Sequence, residues 1–208
     1  MHPNILRRYT DLPVAIDLLT NKRVTLVDPA SWDDQNDSSY LAVYKKREEL
    51  KTLLALCFTQ EAETYHHWKI FSGHTGGVCI VFKKDELLKD LSKENGIRHQ
   101  LVDYWLIKKI KESRPTVQAL PFIKRHAFKH ENEFRIIYES CGLETPFFSA
   151  SIRLECIDRV LLSPWMPKPL ADATRKLLRM IEGCSELKIV RSTLINNEQW
   201  KKAGREAG

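Results

Sequence analysis

The chain has 208 residues, 43% of them hydrophobic and 29% charged, which suits one fully buried core and is too short for two ordinary domains with a linker. No run of 18 apolar residues occurs, and the first eight residues lack an apolar leader, so a cytoplasmic protein with no membrane partner is expected. The net charge is +6; residues 1–100 hold 14 basic and 14 acidic side chains, so the second half carries the whole excess.

Residues 6–9 read as a first strand, and Asp11 as the N-cap of a helix with Leu12, Ala15, Ile16 and Leu19 at helical spacing. Residues 23–27 form a second strand, stopped by Asp28-Pro29, and the acidic stretch 31–39 reads as a turn-forming loop. A helix over 40–50, a buried strand over 53–59, a helix over 61–72 and a buried strand over 78–82 follow, the last two separated by Gly76-Gly77. The spacing then predicts a helix over 85–91, a strand over 100–105, a mostly helical segment over 107–123 and a strand over 134–138. Strands near 149–154 and 160–163 flank Cys156. A helix over 168–182 presents Leu170, Ala173, Leu177, Leu178 and Ile181 on one face and stops at Gly183, before a strand over 187–190. Strands and helices are interspersed without a regular βαβ period. The expected class is therefore α+β, a single domain over 1–195 with a mixed, split β-sheet and surrounding helices, followed by a polar tail at 196–208.

Five cysteines, Cys57, Cys79, Cys141, Cys156 and Cys184, form no CxxC pair, which suits free thiols in a reducing compartment. The sequence lacks GxGxxG, GxxxxGK[ST], HExxH and GxSxG, removing the anchors of several common enzyme classes. His66, His67 and His74 have no carboxylate or cysteine at a supporting spacing, so no metal is expected there.

Three clusters offer chemistry beyond packing. Arg8 beside Tyr9 on a strand is a natural fork for phosphate or carboxylate, with a surface ion pair as its plain alternative. Cys57-Phe58-Thr59, followed by Tyr65, His66, His67, Trp68 and Phe71, can line a cleft, although Trp68 and Phe71 equally suit a core and the histidines simple exposure. Glu131, Glu133 and Arg135 alternate as residues of one strand face do, a pattern that exposed strands also carry. A basic stretch, Lys108, Lys109, Lys111, Lys124, Arg125 and Lys129, can attract polyanions or be a solvated face.

These motifs resemble the bacterial family known as domain of unknown function 2971: Arg8-Tyr9, Asp28-Pro29 to Asp37, Cys57-Phe58-Thr59, Trp68, the segment 77–82, and Lys124 with the segment 131–135. At 34–37 the chain has Asp-Gln-Asn-Asp where that family more often has Asn-Asp-Pro. The chain order of Arg8, Thr59 and Glu131-Asn132-Glu133 is also similar to that of ADP-ribosyltransferases. That resemblance implies NAD as substrate and a protein or nucleic-acid acceptor. Arg8 and Tyr9 would then hold the cofactor with Thr59, Trp68 and Phe71, and Trp68 or Phe71 would stack on nicotinamide. Glu133 would stabilise the departing nicotinamide's ribosyl cation, and Glu131 would activate the acceptor. Two other readings stay open: a non-enzymatic module binding nucleic acid or protein, and a nuclease holding Mg²⁺ with Asp33, Asp34, Asp37 and the two glutamates.

Overall fold

The computed structural model describes residues 4–72 and 74–207. In chain order the elements are β1 (Ile5–Asp11), α1 (Leu12–Asn21), β2 (Arg23–Val27), α2 (Gln35–Arg47), β3 (Thr52–Thr59), α3 (Tyr65–Phe71), β4 (Gly77–Lys83) and α4 (Lys84–Leu91). They continue with β5 (Ile97–Leu101), β6 (Asp103–Trp105), α5 (Ile107–Glu112), β7 (Ile123–Arg125), β8 (Glu133–Ser140), β9 (Phe147–Ser151), β10 (Ile157–Leu162), α6 (Lys168–Arg179), β11 (Ile189–Arg191) and α7 (Glu198–Arg205). The α+β class and the mixed sheet packed by helices are as the sequence implied.

The large sheet runs β11-β10-β4-β1-β3-β2-β9, with β8 on β3 and β5 on β8; β6 and β7 form a separate parallel pair. Its geometry turns on β3. Along one edge β3 pairs with β8 over its whole length, from Thr52↔Ser140 to Thr59↔Glu133. Toward the other edge it meets β1 only at Arg7↔Thr59 and β2 only at Val27↔Ala55. The sheet therefore splits between β1 and β2, and a cleft opens over β3.

Both faces of β3 and β8 are covered. Leu54, Leu56, Phe58, Phe134 and Ile136 join the main core with β1, β4 and α1. On the opposite face α2 lays Leu41 and Tyr44 against Leu53, Ala55 and Ile137. Asp37 belongs to the same buried helix stripe, four residues before Leu41 and seven before Tyr44.

Several local expectations change. The acidic stretch is not all loop, because Asp34 caps α2 by accepting from the Asn36 amide. The segment 107–123 is helical only to Glu112. Pro115 and Pro121 supply no amide donors, and a 3-10 segment over 117–122 leads into β7 instead. In α1 the buried residues are Ala15, Leu18 and Leu19, while Ile16 is exposed. In α6 they are Ala171, Thr174 and Leu178, with Leu170 and Leu177 outside. Residues 198–205 of the polar tail are helical, capped by the Asn197 side chain on the Trp200 amide. All five cysteines are free thiols.

Candidate active site

The cleft has a volume of about 650 Å³ and is lined from three directions. β1 supplies Arg7, Arg8 and Tyr9; β3 supplies the floor from Ala55 to Thr59; α3 and the 3-10 turn 126–131 supply His66, His67, Ile70, Phe71, Phe128 and Glu131. Lys124, Glu133 and Asp37 close its inner end.

Arg8 is a guanidinium with no hydrogen-bonded or ion-paired partner among the described residues; burial lowers its pKa to about 10, with Asp11 opposing the shift. It stays charged at neutral pH. A second, smaller cavity of about 470 Å³, between α1, β2 and β9, is also lined by Arg8. The same cation thus borders both spaces.

The inner end is a buried cluster of charge. Arg135, 0% exposed, places Nε 2.6 Å from Glu133 Oε1 and spans Asp37 with its two terminal nitrogens, at 2.8 and 2.6 Å. Lys124 Nζ lies 2.7 Å from Glu131 Oε2, 3.2 Å from Glu133 Oε2 and 3.6 Å from Asp37 Oδ2. Three carboxylates share two cations. Burial opposes ionisation of Glu133, but Arg135 and Lys124 outweigh it and hold its carboxyl at about 2. Glu131 behaves oppositely: burial raises its pKa despite Lys124. Burial also pushes the Cys57 thiol well up, with Glu133 adding to it, so Cys57 is no thiolate.

Glu131 does not alternate with Glu133 along a strand. It ends the 3-10 turn, and Asn132 at φ 43° swings the chain into β8. Its position is set instead by Thr59, whose hydroxyl donates to the Glu131 carbonyl at 2.5 Å and accepts from the Glu61 amide at 3.0 Å. Thr59 lines the cleft with its hydroxyl already engaged. Tyr9 stacks on His67 at 5.5 Å and meets Trp68 edge-on at 5.1 Å.

Trp68 itself does not line the cleft. It is 0% exposed, packs with Cys79 and Val81, and donates its indole N–H to Glu63 at 2.7 Å. His67 is buried rather than exposed, whereas Phe71 is half-open at the rim. Lys124 is separated from the surface lysines because it sits inside the ion cluster. Lys108, Lys109 and Lys111 are exposed on α5, where Lys109 lies 3.9 Å over Trp105 and Lys108 lies 3.7 Å from Glu112. Arg125 and Lys129 are exposed beside the 3-10 turn. The acidic loop and the glutamate pair, unconnected by sequence spacing, meet at this cleft, but Asp37 and Glu133 are occupied by Arg135 and Lys124.

The residues that sequence reasoning undervalued are Asp37, Arg135 and Lys124 as one cluster. Asp37 had a readable signal, its place on the Leu41–Tyr44 stripe.

Residues 67–136 match the family model described as protein of unknown function, DUF2971. That match bears out the family resemblance over this part of the chain. No curated protein matches. Solved structures similar to the chain include Thermus sp. 2.9 DarT in complex with carba-NAD+ (10% identity, TM-score 0.47), with ADP-ribosylated ssDNA (9%, 0.47) and with NAD+ (7%, 0.46). Each covers 92% of this chain, and 97%, 95% and 96% of the respective DarT chains are covered. No helix among the described residues is long and apolar enough to cross a membrane.

Proposed function

We propose that the protein is an NAD-dependent ADP-ribosyltransferase acting on a nucleic-acid or protein acceptor. One observation carries the reading: Arg8, a cation with no partner among the described residues, borders two cavities, and the larger contains a carboxylate held ionised. A dinucleotide has that form, two nucleosides joined by a diphosphate, and a guanidinium at the junction is a fork for the diphosphate. The volume of the larger space falls within the usual range of small-molecule sites.

Tyr9, His67 and Phe71 offer ring faces for nicotinamide, and Trp68 braces Tyr9 from behind. The bond between nicotinamide and the ribosyl carbon breaks with its electron pair leaving on nicotinamide. Glu133 stabilises the positive charge that grows on that carbon, an interaction stronger in the transition state than in the ground state. Glu131 takes the proton from the acceptor nucleophile as its bond to the same carbon forms. Its raised pKa suits that task, and Lys124 engages Oε2 while no described residue donates to Oε1. Thr59 positions Glu131 through its carbonyl. Exposed Lys108, Lys109, Lys111, Arg125 and Lys129 are the groups available to a polyanionic acceptor.

Isothermal titration tests the binding half. Wild-type protein should bind NAD, and Arg8→Ala should weaken it roughly tenfold or more, as loss of a charge-assisted hydrogen bond implies. Equal affinities would remove Arg8 from the site, and absence of NAD heat in the wild type would remove the reading.

A further inference from the structure

Resting on the transferase reading, we infer that Asp37, acting through Arg135, is a positioning residue that both orients Glu133 and leaves the buried ion cluster one negative charge to spare. Glu131 and Glu133 together with Lys124 and Arg135 would sum to zero, leaving little field for a growing cation. Asp37 changes that sum to −1 by occupying both terminal nitrogens of Arg135.

Geometry adds to the charge. With Nη1 on Asp37 and the Pro121 carbonyl and Nη2 on Asp37, Arg135 turns its Nε toward Glu133, and the Oε1 contact is 2.6 Å. The Arg135 guanidinium lies over the Trp32 ring, 5.0 Å from its centroid. Asp37 is 2% and Glu133 4% exposed, so water does not screen the pair. An aspartate in the first turn of α2 therefore bears on Glu133 through Arg135, with a longer contact to Lys124 at 3.6 Å.

The test is steady-state NAD cleavage by wild type, Asp37→Asn and Arg135→Lys, with NAD affinity measured separately by calorimetry and folding by thermal melt. Asp37→Asn keeps the shape and removes the charge; Arg135→Lys keeps the charge and removes the fork, so it cannot hold Asp37 and Glu133 together. Each folded variant is expected to lose kcat by about tenfold or more, within the range for removing preorganised electrostatic support, while NAD affinity and KM stay within about threefold. A folded Asp37→Asn with kcat within twofold of wild type overturns the inference, as does a kcat loss matched by an equal loss of NAD affinity. Failure of both variants to fold assigns the cluster to stability and also overturns it. A wild type that cleaves no NAD defeats the transferase reading itself.

Discussion

His67 shows how one side chain ties the cleft to the fold. Its Nδ1 lies 2.6 Å from the Thr64 hydroxyl, its ring stacks on Tyr9, and burial lowers its pKa below 6.5. The unfolded chain takes up a proton at His67 as pH falls through 6.5, whereas the folded chain resists it. Stability is therefore lost as pH falls from 6.5 through the folded pKa. Thermal melts at pH 7.5 and 5.5 should show a smaller acid loss in His67→Gln than in wild type; His99, also lowered by burial, contributes equally to both and cancels. An identical loss would mean that His67 is not the group responsible. Thr59 gives a second expectation. Thr59→Val removes the hydroxyl shared by the Glu131 carbonyl and the Glu61 amide, leaving the carbonyl only a 3.5 Å contact to His67 Nε2, so denaturant titration should register a loss of about 1–3 kcal/mol.

At the scale of elements, α3 is seated on β4 by a close approach. A Cβ on Gly77 would collide with the Ser72 carbonyl and side chain, so Gly77→Ala should displace the end of α3, cost about 2 kcal/mol or more and weaken NAD binding with it. Unchanged melting would show that the turn yields. The same elements mark what the sequence made legible. The apolar runs of β3 and β4 were readable because both faces of those strands are buried. The segment after Ile107 was not, because residues 117–120, Val-Gln-Ala-Leu, resume a helix-compatible composition beyond Pro115, which withholds an amide donor. Residues 35–39 resembled a turn for a related reason: polar residues that favour caps fill the first turn of α2 once Asp34 has capped it.

For the whole molecule, the decisive feature is the split of the sheet at β3. Chain order hinted that Arg8, Thr59 and Glu133 belong together, but only the divergence of β1 and β2 from β3 creates the space they share. Pairing of Lys124 with the glutamates was illegible, because a basic run does not announce which of its members is buried, whereas the burial of Asp37 could be read from its place on the Leu41–Tyr44 stripe. The thiols also follow from the packing: in native protein Cys141, exposed, should react first with a thiol reagent, and Cys79, Cys156 and Cys184 only on unfolding. Prompt reaction of all five would contradict the core described here. The proposed role of Glu133 in cleaving NAD is measured most directly by nicotinamide release together with label transfer from NAD to protein and nucleic-acid fractions. Wild type should release nicotinamide and label one fraction; Glu133→Gln should lower both by roughly 10²-fold with NAD affinity little changed, and Glu131→Gln should impair transfer more than release. Folded wild-type protein that releases no nicotinamide and labels neither fraction in excess NAD, or a Glu133→Gln variant as active as wild type, would contradict it.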